Sequence, residues 1–210
     1  MLIDQKVVMN ILEKASIKVS GILHLGAHEC EEKDFYLKLG VTPQSIYWID
    51  AIPQKVDICK QRGIPNVFCA VITDKDNQDI TFNLANNGQS SSVLPLKTHL
   101  QAHPDIHYVG EIKSKTSTLD SFFIKNNIDA SKINFWNFDI QGAELLALKG
   151  ALKSLTHVEV LYLEVNIAEL YEGCALMHEI DSFLQTYNFK RVETVMTRNG
   201  WGDAIYILNK

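Results

Sequence analysis

Two periods of apolar and polar residues run along this chain, and the switching between them lays out a fold. Short unbroken apolar runs occur near 21–25, 45–50, 66–72, 133–139 and 158–164. Runs of this length without alternation are expected of strands buried on both faces of a parallel sheet. Between them the apolar residues recur at helical spacing. The opening segment 4–16 places Val7, Val8, Ile11, Leu12 and Ala15 on one stripe. Helices are predicted near 29–39, closed by Gly40, and at 53–62, opened by Pro53 and closed by Gly63. Proline is tolerated in a first helical turn and glycine favoured just past the last one. Further helical patterns cover 118–125, 142–153 (Leu145, Leu146, Leu148 and Leu152 inward) and 177–187. Alternating strands and helices predict an α/β fold.

Two regions depart from this rhythm. Asp79–Leu84 alternates residue by residue, as an edge or antiparallel strand does. A polar loop follows at 86–92, and 93–117, with Pro95, Pro104 and Gly110, reads as irregular. The stretch 79–117 is therefore expected to be an irregular insertion and a candidate substrate lid. At the other end, 189–196 and 203–208 flank Arg198-Asn-Gly-Trp-Gly202 and predict an antiparallel hairpin. The expectation is a mostly parallel seven-stranded sheet ending in that hairpin, in one domain over 1–210 with an N-terminal helical segment at 1–18.

Composition narrows the classes. With 210 residues, 46% hydrophobic and 21% charged, the chain can bury a substantial core in one domain. A formal net charge of -5 argues against a nucleic-acid scaffold. No apolar stretch approaches membrane-spanning length, and Met1–Met9 lacks a secretory pattern, so a cytoplasmic location is expected. The four cysteines (30, 59, 69 and 174) form no Cys-x-x-Cys pair, and Cys59 and Cys69 read as small core residues. His99, His103 and His107 share a spacing of four, but Pro104 interrupts any helix there, so no metal site is expected.

The densest chemical signal is Gly21-Ile-Leu-His-Leu-Gly-Ala-His-Glu-Cys30, answered by Ile46-Tyr-Trp-Ile-Asp50. A strand, a tight turn, a helix and a second strand ending in an acid form half of a nucleotide-binding unit. Gly26 and Ala27 would bring backbone close to a ligand, with His28 beside them, and Asp50 stands where ribose hydroxyls need an acceptor. Ala51 follows that acid; Ala70 and Val71 end the third apolar run and would flank a base. Asp139 and Glu164 close the fourth and fifth runs at the carboxyl edge, where such sheets bind ligands. A nicotinamide-dependent oxidoreductase shares the turn and the acid. It would carry a full Gly-x-Gly-x-x-Gly and continue its parallel alternation, which this chain does not.

Asn137-Phe-Asp-Ile-Gln-Gly-Ala-Glu-Leu-Leu-Ala-Leu-Lys-Gly150 resembles the strand-to-helix signature of the FkbM family of methyltransferases. Leu25-Gly-Ala-His28, Asn87–Ser92, Thr116–Asp120, Leu170-Tyr-Glu-Gly173 and Gly200-Trp-Gly-Asp203 are similar to further family stretches, from about residue 20 onward. The resemblance implies a Rossmann-like class I methyltransferase fold, S-adenosylmethionine as cofactor, and O-methylation of a saccharide or small natural product. It places Gly26, Ala27 and His28 at the methionine part of the donor, Asp50 and Ala51 at the ribose, and Ala70 and Val71 at the adenine. Asp139 either holds the donor's amino group or orients the acceptor hydroxyl, and Glu164 serves as substrate contact or base. These two acids could also take magnesium, which the reaction does not require. Tyr171 and Trp201 either stack on a sugar or pack under the hairpin.

Two positions depart from the family pattern. His24 stands where many relatives carry an acid, and Cys30 where many carry glycine. They keep open a binding module without turnover. His24 itself is either a donor contact or a core histidine.

Overall fold

In the computed structural model, which describes residues 1–98 and 103–209, the apolar runs pair side by side. The first third of the chain forms α1 (Gln5–Lys14), β1 (Ile22–Leu25), α2 (Lys33–Lys38), β2 (Ile46–Asp50), α3 (Pro53–Gln61) and β3 (Val67–Cys69). The middle contributes β4 (Val71–Ile72), β5 (Asp79–Ala85), β6 (Tyr108–Ser117) and α4 (Leu119–Lys125). The rest gives β7 (Phe135–Phe138), α5 (Glu144–Lys149), β8 (Val160–Asn166), α6 (Met177–Gln185), β9 (Phe189–Met196) and β10 (Trp201–Leu208).

Seven strands form one sheet in the order β3-β2-β1-β7-β8-β10-β9. All neighbours are parallel except β10, which runs antiparallel to both β8 and β9. This is the architecture expected from the sequence, a mostly parallel seven-stranded α/β sheet ending in an antiparallel hairpin. Successive strand residues point to opposite faces, so each strand feeds two cores. Leu23, Leu25, Trp136, Phe138, Leu161 and Leu163 pack beneath α4, α5 and α6. Ile22, Phe135, Val160 and Tyr162 pack beneath α1, α2 and α3. Burial on both faces is why these strands read as unbroken apolar runs. Strand order reverses between β1 and β7, the switch point at which open α/β sheets leave a crevice.

The chain departs from its sequence pattern in four places. The third run is two strands: β3 ends at Cys69, which is exposed, and β4 crosses to a separate three-stranded sheet of order β4-β6-β5. The stretch 93–117 is not irregular throughout, because 108–117 is the ten-residue β6, paired antiparallel with β5. Its polar alternation, one face to solvent, lacks the apolar run that marks a buried strand. Helix α5 stops at Lys149 and leaves Leu152 exposed. On α1 only Val8 and Leu12 are buried. His99 of the three-histidine pattern lies outside the described residues.

Candidate functional site

Register builds the site before any side chain is considered. Leu25 pairs with Ile49 on one side and Phe138 on the other, and Phe138 pairs with Leu163. One residue further on, Asp50, Gly26, Asp139 and Glu164 therefore stand in one row across the carboxyl edge. Asp203 of β10 pairs with Glu164 and extends the row. Gly26 has φ +79, and a Cβ there would lie 1.8 Å from the carbonyl oxygen of Asp139. The glycine is thus demanded by the neighbouring strand as well as by the turn, and not by ligand approach alone.

Asp50 ties two loops together. One carboxylate oxygen accepts the His28 N–H at 2.7 Å and the other the Ile52 N–H at 2.8 Å. Each oxygen keeps a second lone pair for a hydroxyl donor. Burial raises the Asp50 pKa, and the backbone donors oppose that. A narrow cleft with a cavity volume of about 70 Å³ opens beside it. Gly26, His28, Asp50, Ala51, Ala70, Val71 and Asp139 all line this cleft. Ala27 does not; its side chain is buried in the core under α2 and α3. Phe82, Gly88, Gln89, Ser91 and Val93 line the cleft as well. The polar loop after β5 is therefore part of its wall, which no local periodicity announced.

Beyond Asp139 the construction changes. Asp139 is exposed, at the meeting of the first cleft with a second cavity of about 440 Å³. Glu164 borders only the second cavity and is buried, two residues before the end of β8 rather than at it. Gln141, which the sequence did not single out, joins them. Its Nε2 donates to Asp139 Oδ1 and to Glu164 Oε2, each at 2.6 Å, while its Oε1 accepts from the Tyr171 hydroxyl at 2.6 Å. The backbone of Gln141 is left-handed (φ +57), followed by Gly142 (φ +93). A non-glycine residue held there costs about 1 kcal/mol or more and persists where contacts over-determine it. Ser92 supplies one such contact, its hydroxyl donating to the Gln141 carbonyl at 2.8 Å.

Glu144 closes the same turn from beneath. Its Oε1 accepts from Ile140 N at 2.9 Å and Gly142 N at 3.3 Å. Burial pushes its pKa up to about 8, with the nearby Asp139 charge adding to the rise. Glu164 is also pushed well above the usual carboxylate range, first by burial and then by the charges of Asp139 and Glu144. Carboxyls this close cannot all ionise cheaply. Asp203 accepts from the Leu2 N–H and the Tyr162 hydroxyl, and burial raises its pKa too.

His24 borders the second cavity but is built as a core residue. It is 3% exposed, its Nδ1 lies 3.0 Å from the Tyr36 hydroxyl, and its ring lies over Trp48 at 5.3 Å. Burial lowers its pKa, which favours the neutral ring. Tyr171 is fully buried and offers no face to a sugar, whereas Trp201 is half-buried on the second cavity wall. Cys30 and Cys59 are buried thiols with their sulfurs 3.3 Å apart. Among the described residues no helix is long and apolar enough to cross a membrane.

Comparison with known proteins adds to this geometry. The model of the methyltransferase FkbM domain matches residues 25–191. Over 191 residues the chain is 24% identical to the 2-O-methyltransferase NoeI of Sinorhizobium fredii (strain NBRC 101917 / NGR234), a match covering 86% of this chain and 76% of NoeI. Among solved structures, Sp1610 of Streptococcus pneumoniae, a candidate tRNA (m1A22) methyltransferase, shares the fold. Its TM-score is 0.51 at 9% identity, over 100% of this chain and 72% of Sp1610. The O-methyltransferase TomG of Streptomyces achromogenes, solved with SAM, has a TM-score of 0.49 at 11% identity, over 98% of this chain and 79% of TomG.

Proposed function

Because the chain belongs to the FkbM methyltransferase family, whose methyl donor is S-adenosylmethionine, we propose that it methylates a hydroxyl of a saccharide or other small natural product. The observation that carries this reading is the position of Asp139, exposed where two cavities meet. We assign the first cleft to the donor: Gly26 and His28 to its methionine part, Asp50 and Ala51 to the ribose, and Ala70 and Val71 to the adenine. Phe82 and Ser91 complete that wall. The second cavity takes the acceptor. The 2-O-methyltransferase activity of the relative NoeI supports oxygen as the methylated atom.

The donor supplies a methyl group already carried on a good leaving group, a sulfonium. This chain's residues then have two tasks. One is to hold oxygen, methyl carbon and sulfur in line, which the shared wall of the two cavities suits. The other is to take up the hydroxyl proton as the new C–O bond forms and the S–C electron pair returns to sulfur. Asp139 is the acid at that wall and takes the proton, with Glu164 next to it on the second cavity alone. The loop at 86–93 lines both cavities through Gln89 and serves as a cover that excludes water.

Calorimetric titration with S-adenosylhomocysteine tests the donor assignment. The native chain is expected to bind it and to ignore NAD. Asp50→Ala should weaken binding about 10–100-fold, the scale of about 1.5–3 kcal/mol for hydrogen bonds to a charged group. Unchanged affinity in a folded Asp50→Ala variant would remove Asp50 from the site. Binding of NAD in preference to the homocysteine product would overturn the reading. Methyl transfer to a panel of sugars and hydroxylated natural products then tests the acceptor class.

A further inference from the structure

The side chain of Gln141 makes three short hydrogen bonds, and together they allow only one orientation of its amide. Nitrogen faces two carboxylates, Asp139 and Glu164, and oxygen faces a hydroxyl, Tyr171. A primary amide nitrogen has two N–H groups, one for each acid. Turned over, the amide would set its oxygen against two carboxylates and leave the buried Tyr171 hydroxyl without that acceptor. Its main chain is fixed as well, by the left-handed conformation of Gln141 and by the Ser92 hydroxyl on its carbonyl. Ser92 is itself fully buried, and its hydroxyl oxygen accepts the Leu94 N–H at 3.0 Å. The amide is therefore anchored at both ends before any substrate arrives.

We propose that Gln141 is a positioning residue: locked by Tyr171 and Ser92, it holds Asp139 and Glu164 as one carboxylate pair and aims that pair at the acceptor hydroxyl. This rests on the reading of the second cavity as the acceptor site. The pair is a single proton-handling unit. The amide N–H groups favour its charged form and so keep it able to accept a proton. Other titratable groups surround it. Glu144 of α5 and Asp203 of β10 are further acids beside Glu164. Tyr171 stands behind Gln141, and His24 of β1 lies within range of the Asp139 charge. Glu31, Glu32, His28 and His103 line the same cavity.

The test reads the pair directly and does not need the acceptor. The side-chain carboxyl carbons of Asp139 and Glu164, labelled with 13C in the full chain and assigned with Asp139→Asn and Glu164→Gln, are titrated by NMR. Gln141→Leu should raise the apparent pKa of the pair by about one to two pH units, the scale of one lost charge-assisted hydrogen bond. Tyr171→Phe keeps the ring and removes only the hydroxyl that holds Oε1. It should move the titration the same way by less, and it serves if Gln141→Leu does not fold. Where methyl transfer is measurable, the acid limb of kcat against pH should shift by the same amount.

A titration that stays at the native position in a folded variant overturns the proposal, because a residue that only supports the turn would lower stability without moving it. The outcome is separable from that of the functional reading. A shifted titration in a protein that binds no S-adenosylhomocysteine keeps the pair and removes the methyl transfer. Donor binding and methyl transfer with an unmoved titration do the reverse.

Discussion

The two sides of the cleft hold their acids by different means. On the β1–β2 side Asp50 is fixed by backbone: it accepts from Ile52, two residues on, and from His28 at the head of the adjoining loop. Strand ends and tight turns supply those donors, whatever the rest of the chain does. On the β7–β8 side the acids are fixed by side chains drawn from far apart. Gln141 reaches Tyr171, 30 residues on, and is held by Ser92, 49 residues back. The first side is the general apparatus of an α/β sheet edge. The second depends on side chains that only the tertiary fold brings together, and substrate choice is expected to reside there.

Gly26 is where the two sides touch, so its loss should have the largest effect. An alanine methyl there would meet the Asp139 carbonyl oxygen at 1.8 Å, and it would have to adopt φ +79. Left-handed strain and overpacking together should cost about 3–5 kcal/mol, a large share of the ~5–15 kcal/mol that stabilises a typical domain. Urea unfolding of Gly26→Ala should show that loss together with loss of donor binding. A variant as stable as native would mean that the strands β1 and β7 can part without harm, and the two sides would have to be treated as independent.

This contrast also explains what could be read from the sequence. Sheet strands, the hairpin and the row of Gly26, Asp50 and Asp139 were legible, because burial on both faces and strand-end turns leave local marks. Seven of the eight positions expected to meet the donor line the cleft, and Ala27 faces the core instead. Gln141 was illegible: its neighbours Asp139, Gly142 and Glu144 carry the recognisable pattern, and its own function depends on a tyrosine brought near by folding. Phe82 and Ser91 lay inside the stretch read as a candidate lid, and Ser91 in a family-like segment, but neither was singled out, because only the folded loop brings them to the cleft. Asp203 lay inside a recognisable stretch, but only the pairing of β10 with β8 puts it beside Glu164.

Proton uptake separates the sides further. Glu144, under the Gln141 turn, has its pKa raised to about 8 in the folded protein, from 4.5 when unburied. Between these values the folded form keeps a proton that the unfolded form has lost. Its stabilising effect is complete at low pH and declines as pH rises toward about 8. The decline should reach about 2–3 kcal/mol between pH 5 and pH 7. Glu164, Asp50 and Asp203 are shifted in the same direction, so the native slope contains them all. Glu144→Gln isolates one share: its oxygen still accepts both backbone N–H groups, but it cannot ionise. Urea midpoints for this variant should fall less steeply over that range. An identical slope would show that Glu144 ionises freely and that the turn is not held by a protonated acid.

The smallest effect belongs to the donor side, and it has the opposite sign. Glu29, in the loop between His28 and Cys30, accepts from Lys55 Nζ at 2.8 Å and from Arg62 at 2.7 Å. These hydrogen bonds hold its pKa down to about 2. Its contribution is present above pH 4.5 and fades as pH falls toward about 2, so acid weakens this loop while it favours the Gln141 turn. Arg62 is exposed while Lys55 and Glu29 are half-buried, and salt still reaches and screens such surface pairs, so the net gain is small. Glu29→Gln should therefore lower the melting temperature only slightly at pH 7 in low salt. The difference should shrink in concentrated salt and again as the pH is brought down toward 3. Donor affinity should barely change, because Asp50 and not Glu29 fixes the His28 amide. A difference that survives both salt and acid would mean that Glu29 acts through packing of its stem, and the donor loop would then depend on side chains as the other side does.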